Sequence, residues 1–322
     1  MNKEYKLSSH RRNFFLGLGT AIILIFALVP LLTKRNDFIN IMILIFLYVC
    51  LAQSWNILAG YAGQVSLGHA AFFGLGAIAT RFLWAWGYPF FLAFPAGGVV
   101  AVVFALIVGH PALRLKGIYF AIGTLGLAEI LRITIENTLP TVASLPEDYI
   151  ATYNLIPRYY LFLILAIIVV AMVFWVSRSK LGLGMVAVRE DEEAAKASGV
   201  STFRQKMVAF AISSFFAGLA GGAFAFYQVS YYYELPFSPT WTFDALLITF
   251  VGGVGTVVGP IVGAFFYVIF KELFARTFPE LHVFVFGILF ILVVLLLPGG
   301  LVEMVSRIRR LVTARKTETG FC

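Results

Sequence analysis

Long apolar segments alternate with short polar ones along this chain, and their lengths predict its elements. About eight segments are long enough, at ~1.5 Å per residue, to cross the ~30 Å apolar core of a bilayer as helices. They are residues 14–32, 38–58, 70–86, 89–108, 117–137, 159–177, 207–229 and 281–297. The pattern therefore predicts an all-α, polytopic helical membrane protein.

One further apolar stretch, residues 241–276, is interrupted at its centre by glycines and a proline. Because the preceding span leaves the cytoplasm and the final tail is basic, this stretch must cross an even number of times or dip in and return. The freed backbone of such a break needs protein or a water-filled cavity around it. We predict a helix break at Gly252, Gly253, Gly255 and Pro260, within a re-entrant hairpin or two short spans.

The polar segments between the spans indicate which side of the membrane each faces. Basic residues concentrate in 1–13, 178–206 and 301–322, whereas the loop at 139–158 has acids, prolines and only Arg158 as a basic residue. Cytoplasmic segments carry the excess of Lys and Arg. We predict one transmembrane domain over 1–322, with two cytoplasmic tails, 1–13 and 301–322, and a cytoplasmic loop, 178–206.

Composition excludes several classes of protein. Hydrophobic residues make up 61% of the chain and charged residues 12%, far from the balance of a soluble domain. The net charge of +8 orients the spans and does not indicate nucleic-acid binding. Two cysteines and four scattered histidines have no metal-site or disulfide spacing. There is no glycine-rich phosphate loop ending in Lys-Ser/Thr and no catalytic constellation, so we predict neither a catalytic residue nor a metal.

The loop at 178–206 contains a short predicted helix. Residues 191–198 are helix formers or cap residues, with acids at the N-terminal end, where the helix dipole favours them, and Gly199 as a natural stop. Ala194 and Ala195 offer a smooth surface that another protein could approach closely. An ordinary solvated loop helix is the alternative.

Two other polar groups lie in or near the spans. Gln64, Ser66 and His69 sit in a glycine-rich segment, 56–76, where polar groups line a path or bond to a neighbouring helix. We take these three as candidates for a translocation pathway, with helix packing as the alternative. Glu129 and Arg132 share one helix face. A pair that holds the helix near the outer interface is favoured over a substrate site.

Five segments, in order, carry a resemblance to a known family. They are NILAGYAGQVSLGHAAFFGLG at 56–76, GIYFAIGTLGLAEILR at 117–132, GMVAVREDEEAAKASG at 184–199, AFAISSFFAGLAGGA at 209–223 and GGVGTVVGPIVG at 252–263. Together they resemble the permease subunits of branched-chain amino-acid ABC importers of the Liv type, most closely the LivM-like member of the permease pair. The resemblance extends over most of residues 38–300.

The resemblance implies partners and roles. Glu193, Ala194, Ala195 and Gly199 match the coupling motif that docks on an ATPase subunit, although the Ile-x-Leu-Pro ending of the familiar pattern is missing. It implies two cytoplasmic ATPases that hold ATP and Mg, no cofactor in this chain, an extracytoplasmic substrate-binding protein, and a second permease, expected as a heterodimer. The expected location is the prokaryotic inner membrane, in contact with lipid.

Three other functions remain open on the residues alone. The first is an ABC permease for urea, short amides or other amino acids, which these motifs do not separate from a branched-chain amino-acid permease. The second is an ion-coupled secondary transporter, which needs an unpaired intramembrane acid. The third is an intramembrane enzyme, which needs paired catalytic residues that the sequence does not offer.

Overall fold

The computed structural model describes residues 21, 23–33, 35–139, 142–144, 153–277, 287–288, 291 and 299–304. The predicted span at 281–297 lies almost wholly outside these residues. So do the tail at 1–13, the first part of the span at 14–32, and most of the tail at 301–322.

The described chain is helical apart from two three-residue strands. Strands β1 (Val142–Ser144) and β2 (Ser230–Tyr232) pair antiparallel, with Val142 opposite Tyr232. The helices are α1 (Ile23–Leu32), α2 (Asn36–Asn56), α3 (His69–Ala85), α4 (Phe90–Ala112), α5 (Ile118–Thr138), α6 (Leu155–Arg178), α7 (Lys180–Glu190), α8 (Glu192–Ala197), α9 (Thr202–Tyr227), α10 (Pro239–Gly252) and α11 (Gly259–Thr277). A π-helical turn, Ile57–Tyr61, extends α2, and a 3₁₀ turn, Leu235–Phe237, precedes α10.

Helix lengths confirm the predicted fold class of a polytopic helical membrane protein. Within the described residues, five helices are long and apolar enough to cross a membrane: α2 with its π turn, α4, α5, α6 and α9. Helix α3 has 17 residues and α10 has 14, so each is short for a full crossing on its own. Helix α11 has 19 residues but carries Lys271 and Glu272.

One predicted helix end is wrong. The fourth predicted span was given as 89–108, but α4 continues to Ala112 with Pro95 and Pro111 inside it. Pro111 lies in the last turn of α4. Its missing N–H leaves the Ile107 carbonyl without its helical partner, one turn before the chain leaves the helix.

Helices α2 and α9 form the centre of the fold. About nine-tenths of the apolar window of α2 is buried (89%), against 72% for α9 and 17% for α5. Helix α3 packs against α9 through glycines: a Cβ on Gly76 would lie 2.5 Å from the Gly218 carbonyl carbon, and one on Gly221 would lie 2.8 Å from that of Phe73. Close backbone approach at glycines is the usual way that membrane helices pack.

Two buried arginines close the C-terminal end of α9. Arg81 donates to the Gln228 carbonyl at 2.7 Å, and Arg158 donates to the Phe226 carbonyl at 2.9 Å. The last carbonyls of a helix have no helical partners and carry its negative dipole end, so cations stabilise it there. This structural role accounts for a lone basic residue, Arg158, at the end of the acidic loop.

Candidate functional site

The loop between α6 and α9 folds into two helices. Ser179 begins α7 by accepting a hydrogen bond from the Gly182 backbone N–H at 3.1 Å. Asp191 begins α8 by accepting from the backbone N–H groups of Glu193 at 2.9 Å and Ala194 at 3.0 Å. The predicted short helix is therefore confirmed, with Asp191 as its N-cap. Helix α7 was not predicted.

Helix α8 also ends as the sequence predicts. Gly199 adopts a left-handed φ of +83°, which a residue with a side chain rarely adopts. The Val200 N–H then reaches back to the Ala195 carbonyl at 3.0 Å. This is the hydrogen bond that closes a glycine-terminated helix.

The exposed and buried residues of α8 differ from the prediction. Glu193 and Ala194 are exposed, but Ala195 is buried at 4% exposure. Ala195 therefore packs inward and is not part of a smooth outer surface, because consecutive residues of a helix point in different directions. Among the described residues, the ion-pair partner of Glu193 is Lys116 at 3.6 Å, and both side chains are at least 70% exposed.

A second ion pair fixes α8 to the membrane helices. Lys206, in α9, donates to Glu192 at 2.7 Å, and its own side chain is buried. Partial burial opposes ionisation of Glu192, but the hydrogen bond and charge of Lys206, with the charge of Lys116, hold the pKa of its carboxyl below the ordinary value. The two consecutive glutamates thus have different roles, because Glu192 holds the helix whereas Glu193 faces outward.

The three pathway candidates lie just beyond the π turn of α2. His69 is 1% exposed, with its Nε2 3.1 Å from the Ser54 hydroxyl and 3.3 Å from that of Ser213. Ser66 is also buried and accepts from the Gly68 N–H at 3.2 Å. Gln64 is partly exposed. The structure thus places Gln64 alone of the three at a surface of the chain, and a pathway role stays a prediction.

The glycine-rich stretch after α10 separates two antiparallel helices. Helix α10 ends at Gly252, Gly253 has φ +131° and Gly255 has φ +74°. Pro260 is the second residue of α11, in the first turn, where its missing N–H has no helical acceptor in any case. The interruption therefore lies at the glycines, and Pro260 helps to restart the helix.

Contacts across this interruption involve residues that the sequence did not single out. Asn56, the last residue of α2, accepts from the Gly255 N–H at 2.8 Å and donates to the Thr256 carbonyl at 2.8 Å. Gln53 donates to the Val257 carbonyl at 2.6 Å. Buried amides at the end of an apolar helix were the available signal, because buried polar groups need partners.

Two acids within the described helices, Asp244 and Glu129, are paired. Asp244 accepts from the Tyr48 hydroxyl at 2.9 Å and from Lys271 at 3.3 Å. Glu129 accepts from Arg132, with its Oε1 2.6 Å from Nη2. An ion-coupled carrier needs an unpaired acid, so these pairs weigh against that function. The searched part of the chain has no group of three or more His, Cys, Asp or Glu residues placed to hold a metal.

Comparisons with known proteins agree on one family. The family model described as "Branched-chain amino acid transport system / permease component" matches residues 38–294. The chain is 31% identical over 310 residues to the high-affinity branched-chain amino acid transport system permease protein LivM of Escherichia coli, covering 85% of this chain and 72% of that protein. It is 30% identical to the Salmonella typhimurium LivM, covering 88% and 74%.

A more distant relative has another substrate in its name. The autoinducer 2 import system permease protein LsrC of Photorhabdus luminescens is 28% identical over 170 residues, which is 48% of this chain and 48% of that protein. No solved structure matches this chain.

Proposed function

We propose how transport is shared among subunits, starting from the family: this chain belongs to the family of permease components of branched-chain amino acid transport systems. It is the membrane-spanning permease subunit of an ATP-binding-cassette importer and moves branched-chain amino acids into the cell. Hydrolysis of ATP takes place in two separate cytoplasmic ATPase subunits, which hold the ATP and Mg. A soluble protein outside the inner membrane of a prokaryotic cell delivers the amino acid.

The coupling role rests on one observation. Helix α8 is capped and exposed on one side, and an ion pair on its other side fixes it to the membrane helices. Lys206 holds it through Glu192, whereas Glu193 and Ala194 are exposed, and the ion pair of Glu193 with Lys116 is long at 3.6 Å. A helix held this way keeps its shape when another protein presses on it. Movement of an ATPase docked at Glu193 is then transmitted to α9 and α7.

We place the second permease, a different chain related to this one, against the exposed face of α5 that includes Gly126. Gly126 is exposed, and a Cβ added to it would meet nothing within 4 Å. Glu129 and Arg132 keep about a third of their side-chain surfaces exposed, at 37% and 29%. Charged groups in a span are costly against lipid, so this face requires protein or water. We place the amino-acid pathway beside this face and Gln64, the one pathway candidate that is partly exposed.

The substrate assignment follows from the extent of the similarity. The LivM proteins of Escherichia coli and Salmonella typhimurium cover 85% and 88% of this chain, whereas the autoinducer 2 relative covers 48%. We therefore favour leucine, isoleucine and valine. Binding must be stronger in one of the two states of the transporter for ATP to drive net uptake.

The first test is to purify the chain with its neighbours in mild detergent and identify them by mass spectrometry. We expect a phosphate-loop ATPase and a second permease, and ATP-dependent uptake of radiolabelled leucine after reconstitution with the binding protein. Excess isoleucine or valine should compete, and excess urea should not. A chain that purifies alone and moves leucine without ATP would overturn the proposal.

A bulky residue on the α5 face tests the permease contact. We expect Gly126→Trp to fold normally but to recover about tenfold less of the second permease, because a side chain in a close-packed membrane interface prevents the approach of the partner. The matched control is Val103→Trp, on an exposed face of α4. Equal recovery of the partner by both variants would remove α5 from the interface.

A further inference from the structure

Arg189, the residue before the last of α7, reaches out of the cytoplasmic loop to the end of α2. Its Nη1 donates to the Gly60 carbonyl at 2.6 Å. Gly60 lies in the π turn that ends α2, where carbonyl groups have no following helical N–H to bind. Glu190 accepts from the Nε of the same guanidinium at 3.0 Å and serves as its counter-ion. The hydrogen bond from Arg189 to Gly60 joins positions 129 residues apart in the chain.

Three glycines enclose this one side chain. A Cβ on Gly63 would lie 2.8 Å from the Arg189 Cγ, and one on Gly255 would lie 2.9 Å from Nη1. A Cβ on Gly60 would lie 2.7 Å from the Gly255 nitrogen. Gly63 and Gly255 also have positive φ values of +69° and +74°, which residues with side chains rarely adopt, so glycine is favoured at both positions. Gly60 and Gly63 come from the end of α2 and Gly255 from the α10–α11 interruption, so two distant segments form one slot for the guanidinium.

The two segments that form the slot are themselves joined. The Asn56 side chain bonds to both Gly255 and Thr256, and Gln53 bonds to Val257. These hydrogen bonds therefore hold the end of α2 and the α10–α11 interruption together. On the other side, only Asp191 separates α7 from α8. Arg189 in α7 thus gives the neighbouring helix α8 a polar connection to the end of α2 and to the α10–α11 interruption.

We propose that Arg189 is a positioning residue for transport, which passes displacement of α8 to the α2 end and the α10–α11 interruption. This rests on the proposed function, because it assumes that an ATPase displaces α8. The planar guanidinium suits this role, since one nitrogen binds the Gly60 carbonyl while the others bind Glu190. A lysine offers one compact charged group and cannot reproduce that fork.

The test compares Arg189→Gln and Arg189→Lys with Arg178→Gln in the assembled transporter. Arg178 is the matched control, since it lies at the end of α6 and stacks on Phe174. We expect the Arg189 variants to keep the ATPase bound and hydrolysing ATP, while leucine taken up per ATP falls about tenfold, the size expected for a lost charge-assisted hydrogen bond. Arg178→Gln should retain the wild-type ratio.

A second comparison separates positioning from simple loss of structure. Glu190→Gln removes the counter-ion of the same guanidinium, so combining it with Arg189→Gln should lower leucine per ATP no further than the stronger single variant. Wild-type leucine per ATP in Arg189→Gln, or additive losses in the double variant, would overturn the proposal. If Arg189→Gln does not assemble, Arg189→Lys decides by the same ratio. Failure of the proposed function itself is distinct, because the unaltered chain would then recover no ATPase.

Discussion

Glu193→Lys is expected to leave the chain folded and inserted while leucine uptake falls about tenfold or more, since a reversed charge at a docking surface costs on the order of 1.4 kcal/mol or more. The fold should be unaffected by the change. The only described ion pair of Glu193 is with Lys116 at 3.6 Å, between side chains that are 70% and 75% exposed. Such exposed pairs contribute about 0–1 kcal/mol. The measurement is leucine uptake together with ATPase activity and chain abundance.

Glu192→Gln is the matched control. It changes the neighbouring residue, which holds α8 in place and does not face outward. It leaves Lys206 buried with a weaker partner, so its first effect should be on the melting temperature. Because the folded-state pKa of Glu192 is lowered, the pair stabilises the loop above the ordinary carboxyl pKa, and that stabilisation is lost as pH falls through the folded value. Full uptake by Glu193→Lys at normal abundance would exclude a docking role for that residue.

The parts of this fold that depend on local sequence were predictable. Apolar length specifies the spans, and acids followed by Gly199 specify α8, because helix caps act on neighbouring backbone groups. Even so, α7 was missed. Gly182 and Gly184 lower its helix propensity, but Gly182 packs against the end of α6, where a Cβ would lie 2.8 Å from the Val176 carbonyl carbon. Tertiary contact there outweighs propensity.

The polar interior depends on contacts that no local pattern contains. Asn56 meets Thr256 at a separation of 200 residues, and His69 meets Ser213 at 144. A sequence shows that such residues must find partners, since unpaired polar groups are costly in an apolar interior, but it does not say which. The same limit explains Ala195, whose inward direction follows from how α8 rests on the membrane helices and not from the motif.

Gly221→Ala is expected to prevent the chain from folding stably. Helix propensity alone would favour alanine by about 1 kcal/mol. Against this, the new Cβ would lie 2.8 Å from the Phe73 carbonyl carbon and 3.0 Å from the Ala77 nitrogen, both backbone atoms of α3. Backbone cannot rotate away as a side chain can, so α3 and α9 must separate along a contact that lies at the centre of the fold. Overpacking of this kind costs about 1–3 kcal/mol or more, and the loss of packing adds to it.

The comparison that isolates this clash is Gly126→Ala in the same purified chain without partners. Its Cβ would meet nothing within 4 Å, so the gain in helix propensity stands alone. We expect Gly126→Ala to raise the melting temperature slightly and Gly221→Ala to abolish the monodisperse peak in size-exclusion chromatography. If Gly221→Ala instead melts like Gly126→Ala, α3 and α9 are not in backbone contact at this point. The glycines of AFAISSFFAGLAGGA would then need another explanation.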